Sequence, residues 1–364
     1  MPGLSTTTGL RWEMRALGRP LEAVFFELAP PPRGHALVRV AGCGVCHTDL
    51  GFLFDGVRPR APLPLALGHE ISGEVIDASS EQRSLVGRAV IVPAVTPCGS
   101  CADCRAGHGT LCAKQTMPGN DAHGGFATHV LVPARGLCLV DAPALDGRPV
   151  RRSGCTLAEL AVVADAVTTP YQAMRRARVS PGDFVVVVGL GGVGGFAAQI
   201  AHALGATVAG FDVSEERLAL LGRHGLDGGF DARGLDPKEA RGTLRAFAKE
   251  RGHPDRRWKI FECSGAKGGQ ELAFGLLGPG ALLSVVGYTL DRIEVRLSNL
   301  MAFDAKAVGN WGCLPELYPG ALELVLDGRV AVKPFVRLFP LAEIEGVLAR
   351  AHERRIAERP VLVP

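Results

Sequence analysis

The segment from residue 184 to residue 212 limits the possible folds more than any other part of the chain. It opens with Phe184-Val-Val-Val-Val188, an unbroken apolar run typical of a parallel strand that is buried on both faces. A glycine-rich turn follows at residues 189–194, then a helical stretch and a second strand that ends at Asp212. This order of strand, turn, helix and strand predicts the first unit of a doubly wound parallel sheet.

The rest of the chain divides around this segment. Further strand patterns after residue 212, separated by helical ones, extend the predicted sheet, and the chain becomes mixed again after about residue 310. Before residue 165, short strand patterns alternate with loops rich in glycine and proline. We therefore expect an α/β protein with two domains, in which residues 1–165 and 311–364 form an irregular β-rich domain around an inserted α/β domain of residues 166–310.

The glycine-rich turn has the spacing of a dinucleotide-binding site. Gly189 permits the tight turn, Gly191 lets the backbone approach a pyrophosphate, and Gly194 lets helix and strand pack closely. Gly192 and Val193 complete the turn, and the helix after it presents free N–H groups to the phosphates. The alternative is a similar turn in an α/β sheet that binds no nucleotide.

Asp212 predicts which nucleotide is bound. It lies at the end of the second strand, where a carboxylate accepts hydrogen bonds from a ribose diol and repels a 2′-phosphate. The next two residues, Val213 and Ser214, supply no cation to offset that repulsion. We therefore expect NAD in preference to NADP.

Charge and cysteine content exclude other classes of protein. The net charge of +3 gives no reason to expect nucleic acid or a membrane as a partner. Residues 184–211 carry no charged side chain, but their glycines argue against a membrane helix. Residues 1–20 show no secretory signal, so we expect a reducing, cytoplasmic location in which the ten cysteines favour metal binding over disulfides.

Four cysteines form a compact motif within residues 94–115. Cys98, Cys101, Cys104 and Cys112 are too closely spaced to pair easily as disulfides, but one loop can wrap them around Zn²⁺. Four protein ligands leave no open position, so this zinc is predicted to be structural. Unliganded cysteines and an iron–sulfur cluster are the alternatives.

Two further segments complete a recognisable set: Gly44-Val-Cys-His-Thr-Asp49 and Gly68-His-Glu70. With the four-cysteine motif and the glycine-rich turn, and in this order, they resemble the zinc-containing medium-chain alcohol dehydrogenases over essentially the whole chain. The resemblance implies a GroES-like catalytic domain beside a Rossmann domain. It also implies NAD and two Zn²⁺ ions per chain, one catalytic and one structural.

The resemblance further implies the residues of the catalytic site. Cys46, His69 and a residue six positions before an aromatic would hold the catalytic Zn²⁺, and here that residue is Asp165, before Tyr171. Many relatives have cysteine there and some secondary alcohol dehydrogenases have aspartate, which Zn²⁺ also accepts. Glu70 would lie behind the metal and enter its coordination shell transiently. Asp49 would orient His69.

Thr48 and His47 are implied to serve the reaction itself. The three ligands leave one position for the alcohol, whose hydroxyl pKa falls on binding, and the hydroxyl of Thr48 would take the proton. His47 is expected to meet the cofactor pyrophosphate. In well-studied animal relatives the proton relay often ends on a histidine where this chain has Gly51, so its exit path stays open.

Longer strings indicate a narrower group, the dehydrogenases that act on 6-hydroxycyclohex-1-ene-1-carbonyl-CoA in anaerobic benzoyl-CoA degradation. The implied reaction oxidises the ring hydroxyl to the 6-oxo product and forms NADH. The alternative is a general secondary-alcohol or polyol dehydrogenase with the same metal and cofactor residues. The resembling strings are Leu63–Ser72, Met117–Asp121, Val132–Cys138, Glu262–Gly265, Arg296–Asp304 and Asn310–Cys313.

A CoA thioester carries several phosphates, so its enzyme needs cations at the mouth of the cleft. Arg58 and Arg60 are the main candidates, with Lys306 and Arg296 as weaker ones, and all four have solvated surface charge as the alternative. The partners expected are therefore this small molecule and further copies of the chain. The family forms dimers or tetramers, and the sequence does not choose between them.

Overall fold

The computed structural model describes residues 8–141 and 147–364, and the chain forms two compact units. The first unit contains Met1–Thr168, Gly312–Gly328 and Val332–Pro364, and the second contains Thr169–Trp311 and Arg329–Ala331.

The described residues of the first pass through the first unit form eight strands and two short α-helices. The strands are β1 (Thr8–Met14), β2 (Glu22–Glu27), β3 (His35–Gly44), β4 (Leu65–Ala66), β5 (Glu70–Ala78), β6 (Ala89–Val92), β7 (His129–Pro133) and β8 (Cys138–Val140). The helices are α1 (His47–Leu53) and α2 (Ala102–Arg105). The 3-10 segments are Ser80–Leu85, Gly109–Leu111, Arg151–Ser153 and Glu159–Ala164.

The second unit alternates helices and strands. In chain order they are α3 (Thr168–Arg176), β9 (Phe184–Val188), α4 (Gly194–Ala203), β10 (Thr207–Asp212), α5 (Glu215–Gly222), β11 (Gly228–Asp231), α6 (Pro237–Glu250), β12 (Lys259–Glu262), α7 (Lys267–Gly275), β13 (Leu282–Val285), α8 (Ser298–Ala302) and β14 (Lys306–Gly309).

The chain then returns to the first unit. It forms α9 (Tyr318–Leu326), β15 (Val336–Pro340), α10 (Ile344–His352) and β16 (Arg359–Val363), with 3-10 segments at Pro315–Leu317, Lys333–Phe335 and Leu341–Glu343.

The sheets of the first unit bring two distant segments together. A seven-stranded sheet has the order β15-β16-β3-β5-β6-β8, with β7 also paired to β3, and β2-β1-β4 forms a smaller sheet. β3 and β5 are antiparallel, with Gly44 opposite Glu70 and Cys43 opposite Ile71. Because β3 ends shortly before Cys46 and β5 begins just after His69, this register places the two predicted ligand segments side by side.

The second unit has the predicted architecture. Its six strands are all parallel in the order β11-β10-β9-β12-β13-β14, so the first strand in sequence lies in the middle and the order reverses between β9 and β12. All five residues of β9 are buried, as the run of valines predicts. In the part of the chain that the structure describes, no helix has the length and apolarity needed to cross a bilayer.

Each unit has its own apolar core. In the first, Val38 and Ile71 from the sheet pack with Phe126 and with Ile344 of α10. In the second, strand and helix side chains form a cluster with Val186, Phe211, Trp258 and Leu272 among its members. The predicted α/β fold with one irregular β-rich domain and one doubly wound domain is therefore confirmed.

Candidate metal and dinucleotide sites

Three donor atoms predicted to bind the catalytic metal converge in the first unit. Asp165 Oδ2 lies 3.5 Å from His69 Nε2 and 3.9 Å from Cys46 Sγ. Zinc bonds of about 2.0–2.3 Å in a tetrahedral site require donors about 3.3–3.8 Å apart. With Glu70 included, the potential donor atoms all lie within 4.8 Å of one another. The spacing and the donor types, a thiol, an imidazole and carboxylates, fit Zn²⁺.

Asp49 joins the two segments that carry Cys46 and His69. Cys46 is the residue before α1, and its backbone N–H donates to Asp49 Oδ2 at 3.1 Å. Asp49 Oδ1 accepts from the N–H of Gly68 at 3.0 Å and lies 3.1 Å from His69 Nδ1. The predicted contact between Asp49 and His69 is present, and a proton shared at Nδ1 leaves Nε2 to face the other donors.

Asp165 is held in place by the segment before it. It follows the 3-10 segment Glu159–Ala164, every residue of which is buried. The carbonyl of Ala164 accepts hydrogen bonds from the hydroxyls of Tyr318 and Thr168, the latter at 3.0 Å. Two anchors on the preceding residue therefore restrict where the carboxylate of Asp165 can lie.

Glu70 is fully buried and forms a two-point ion pair with Arg359. Its Oε2 accepts from Arg359 Nε at 2.7 Å and its Oε1 accepts from Nη2. The N–H of Ala166 donates to Oε1 at 3.1 Å, and a Cβ on Gly44 would lie 2.1 Å from Oε2. The carboxylate thus sits beside the three donors but faces Arg359. The sequence analysis missed Arg359, which is 289 residues away in the chain.

The charges around the cluster favour a bound cation. Burial alone lowers the pKa of His69, but the charges and hydrogen bonds of Asp49, Asp165 and Cys46 outweigh it and raise that pKa well above its ordinary value. Burial raises the pKa of Glu70, which Arg359 partly offsets. Several acidic side chains share this buried space with one imidazole. A divalent cation bound among them would offset the repulsion between their negative charges.

The residues predicted to serve the reaction lie on α1. Thr48 Oγ1 is 3.7 Å from Cys46 Sγ and its side chain is half-buried, so the hydroxyl borders the three donors. His47, the first residue of the helix, is exposed. Gly51 is buried, and a Cβ added there would lie 3.4 Å from Val57, an ordinary van der Waals contact.

The four-cysteine lobe has the geometry of a second metal site. Cys98 Sγ lies 4.0 Å from Cys104 Sγ, and Cys101 Sγ lies 3.8 Å from Cys112 Sγ. Four sulfurs about 2.3 Å from one zinc would be about 3.8 Å apart. None of the four is in a disulfide, and their donor atoms form one group that could hold a metal.

Backbone N–H groups of the lobe point at its sulfurs. The N–H groups of Cys98 and Gly99 donate to Cys112 Sγ and Cys104 Sγ, each at 3.3 Å. Hydrogen bonds from the N–H and hydroxyl of Ser100 lower the pKa of Cys98 to about 6. These contacts stabilise thiolates, the form in which cysteine binds zinc.

The glycine-rich turn joins β9 to α4 as its sequence predicts. Gly189 has a φ of +83°, and a Cβ on Gly194 would lie 1.7 Å from the carbonyl oxygen of Gly189, so neither position accepts a side chain without a shift. A Cβ on Gly191 would meet only Arg217 Nη1, at 3.7 Å. The backbone at Gly191 is therefore open to a ligand.

Asp212 lies at the rim of this turn. Its carboxylate accepts from the N–H groups of Leu190 at 2.6 Å and Ser214 at 2.9 Å. Arg217 Nη1 lies 3.9 Å from Asp212 Oδ1, so the region holds a cation that the sequence argument about Val213 and Ser214 left out. The carboxylate thus lies beside the glycine-rich turn with two backbone hydrogen bonds, and Arg217 supplies a positive charge near it.

The arginines and lysine suggested for CoA binding have different surroundings. Arg58 is exposed, whereas Arg60 is paired with Asp121, with Nε 2.8 Å from Oδ1. Arg296 is exposed before α8. Lys306 is the first residue of β14, at the end of the parallel sheet opposite the glycine-rich turn.

Comparisons with known proteins identify the family of the chain. Residues 32–143 match the family described as "Alcohol dehydrogenase GroES-like domain", and residues 192–327 match "Zinc-binding dehydrogenase". An alcohol dehydrogenase of Rhizobium meliloti (strain 1021) is 32% identical over 357 residues, 96% of this chain and 97% of the relative.

Solved structures give the same result. The alcohol dehydrogenase of Aeropyrum pernix superposes with a TM-score of 0.84 at 28% identity, over 98% of this chain and all of the other. Acetophenone reductase of Geotrichum candidum in complex with NAD superposes with a TM-score of 0.81 at 25% identity, over 100% and 99% of the two chains. The chain therefore belongs to the zinc-containing medium-chain alcohol dehydrogenase family and is a zinc-dependent oxidoreductase that acts on alcohols with NAD.

Proposed function

We propose that the protein oxidises 6-hydroxycyclohex-1-ene-1-carbonyl-CoA to its 6-oxo product, with NAD as the hydride acceptor, in anaerobic benzoyl-CoA degradation. The observation that carries the reaction type is the convergence of Cys46 Sγ, His69 Nε2 and Asp165 Oδ2. The choice of substrate is supported by the sequence strings that resemble dehydrogenases of this cyclic thioester. The substrate hydroxyl is secondary and allylic, which suits hydride removal.

In this proposal each residue of the site has a defined role. Cys46, His69 and Asp165 would hold Zn²⁺, which when bound would supply Lewis acidity toward the substrate hydroxyl. Thr48 would relay the substrate proton, accepting it at Oγ1 while releasing its own hydroxyl proton toward solvent. Asp49 holds the ring of His69 through Nδ1, and Arg359 pairs with the carboxylate of Glu70 and holds it turned aside from the three donors.

We assign a second, structural Zn²⁺ to Cys98, Cys101, Cys104 and Cys112, which gives two ions per chain. The sulfur spacings and the N–H groups that point at the sulfurs support this assignment. In the dinucleotide site, Gly189, Gly191, Gly192, Val193 and Gly194 would bind the pyrophosphate, with His47 as an additional contact, and Asp212 the ribose diol.

A second candidate is a general secondary-alcohol or polyol dehydrogenase. The pairing of Arg60 with Asp121 favours it, because that arginine is already neutralised and Arg58 is left as the stronger candidate of the two for a CoA phosphate. The metal and cofactor residues are the same in both proposals, so only the substrate can separate them.

Steady-state kinetics with NAD tests the choice directly. The cyclic hydroxyenoyl-CoA should give a kcat/KM at least about a hundredfold above those of cyclohexanol, 2-butanol and sorbitol. The Arg58→Gln variant should raise the KM for the thioester and leave that for cyclohexanol unchanged, while Arg19→Gln, at another exposed arginine, should change neither. Equal or higher kcat/KM for the simple alcohols would favour the second candidate.

We further propose that the protein is a cytoplasmic homo-oligomer, either a dimer or a tetramer. Among the described residues, four large apolar side chains between residues 288 and 301 are exposed, and exposed apolar surface is typical of an interface. Light scattering on the purified protein should give a mass two or four times that of the chain, and a monomer would contradict the proposal. The exposed residues are Tyr288, Leu290, Leu297 and Met301.

A further inference from the structure

A cavity of about 640 Å³ lies in the second unit, at the end of the parallel sheet where its strands begin. Its lining includes the first residues of four strands: Phe184 of β9, Lys259 of β12, Leu282 of β13 and Lys306 of β14. The glycine-rich turn follows the last residue of β9. The cavity and the turn therefore lie at opposite ends of the parallel strands. The cavity is therefore separate from the dinucleotide site.

The lining is rich in cations. It contains Arg256, Arg257, Lys259 and Lys306, against the carboxylates of Asp183 and Asp304. Lys259 Nζ is paired with Asp183 Oδ2 at 2.7 Å. Among the residues that the structure describes, Arg256, Arg257 and Lys306 form no ion pair, and all three are exposed.

The nearest acid in sequence does not neutralise these cations. Asp255 precedes Arg256, but its Oδ2 is 2.5 Å from Arg245 Nε and its Oδ1 is 3.5 Å from Arg241 Nη2. Two chain segments, one with Arg256 and Arg257 and the other with Lys306, thus bring cations that form no ion pair with the described residues to one concave surface. Repulsion between these cations costs free energy, and a bound anion offsets that cost.

The backbone at the rim is held in an unusual conformation. Arg257 and Asp304 are non-glycine residues with φ of +58° and +48°, and both line the cavity. The N–H of Arg257 donates to the carbonyl of Pro279 at 2.8 Å, which helps to fix this conformation. Strained residues that a fold maintains are concentrated at binding and catalytic sites.

We propose that this cavity binds the phosphate group of a small molecule. The guanidinium groups of Arg256 and Arg257 and the ammonium group of Lys306, which line the same cavity, supply the forked and point-charge donors that phosphate requires. The volume exceeds that of one phosphate ion and matches small-ligand sites. The aromatic rings in the lining, Phe184 and His253, pack on each other, which favours a phosphate monoester over a nucleotide that needs a stacking partner.

Calorimetric titration of the NAD-saturated holoenzyme tests this site, because saturation with NAD keeps the probes out of the dinucleotide site. The probes are inorganic phosphate and glycerol 3-phosphate. Both should bind the wild-type protein, and Arg256→Gln with Arg257→Gln should weaken binding at least about tenfold, the effect expected for lost charge-assisted hydrogen bonds. Lys306→Gln should weaken it independently.

The matched control is Arg223→Gln, at an exposed arginine of the same unit outside the lining. It should bind both probes as the wild type does, and unchanged NADH affinity and circular dichroism would show that every variant is folded. Tighter binding of glycerol 3-phosphate would identify a phosphorylated metabolite as the ligand, and tighter binding of phosphate would identify the free ion. No binding to the wild type, or equal binding to the double variant, would overturn the proposal.

Discussion

The two cysteine-containing clusters of the first unit are built in opposite ways. The four-cysteine lobe takes all its donors from residues 98–112 of one loop, and its backbone supplies the N–H groups that point at the sulfurs. The catalytic cluster takes its three donors from segments around Cys46, His69 and Asp165, and it lies in the buried part of the unit. A local site needs only its loop, whereas an assembled site needs the fold around it.

The surroundings of the two clusters differ for the same reason. The lobe has few buried residues, and its ligands exclude any further group once four sulfurs are bound. Around the catalytic cluster, Asp49 contacts His69 and Arg359 pairs with Glu70, so in the proposed site three ligands would be positioned and one place would be left for substrate. We therefore expect damage to the catalytic cluster to affect activity, and damage to the lobe to affect local stability.

Loss of a catalytic ligand should give the largest effect. Cys46→Ala removes one of three donors and should lower kcat/KM more than about a thousandfold, because the metal supplies several kcal/mol to the reaction. The matched control is Cys138→Ala, at a buried cysteine of β8 outside both clusters, which should change activity little. Steady-state kinetics and zinc analysis on both proteins test this, and comparable losses in the two would contradict it.

Breaking the buried ion pair should come next. Arg359→Met leaves the carboxylate of Glu70 buried without its partner and should reduce the free energy of unfolding by about 3–5 kcal/mol. Combining it with Glu70→Gln removes the uncompensated charge and should restore most of that loss. Denaturant unfolding of both variants checks the prediction. A single variant as stable as the wild type would show that the pair does not support the catalytic cluster.

Asp49→Asn should have a smaller effect on activity. The amide keeps the shape of the side chain but loses the negative charge, which now accepts hydrogen bonds from two backbone N–H groups and contacts His69 Nδ1. We therefore expect kcat/KM or the affinity for the catalytic zinc to fall about 10–100-fold. Asp55→Asn, at an exposed carboxylate that bonds His352, is the control and should behave as the wild type. If both variants had the same zinc affinity and kcat/KM, Asp49 would have no positioning role.

Disruption of the lobe should have the smallest effect on activity. Cys104→Ser should release the structural zinc and increase hydrogen exchange over residues 94–115, yet change kcat/KM less than about threefold at temperatures where the protein stays folded. Exchange measured by mass spectrometry, with kinetics on the same sample, checks both parts. A loss of activity as large as that of Cys46→Ala would remove the distinction between the clusters.

Local features of the sequence predicted much of the molecule. The run of valines and the glycine-rich turn gave β9, α4 and the parallel sheet, because strand burial and turn geometry depend on neighbouring residues. The four-cysteine motif likewise predicted the convergence of its sulfurs, since the ligands are close in the chain. The catalytic donors were identified through family resemblance, because no local rule relates Cys46, His69 and Asp165.

Contacts that depend on the tertiary fold were not predictable in the same way. Arg359 reaches Glu70 because β16 pairs with β3 and β3 pairs with β5, and nothing near Arg359 in sequence marks that outcome. Arg217 was missed for a more local reason. Ser214 caps α5 and accepts from the N–H of Arg217 at 3.3 Å, so the first turn of the helix brings this side chain back to Asp212.

A zinc-edge anomalous difference map from crystals grown with NAD tests the central claim most directly. The account predicts one peak about 2.0–2.3 Å from Cys46 Sγ, His69 Nε2 and Asp165 Oδ2, with no fourth protein ligand, and a second peak within the four-cysteine lobe. Absence of a peak at the first position would contradict the account. A zinc ion there with Glu70 as a fourth protein ligand would contradict it as well.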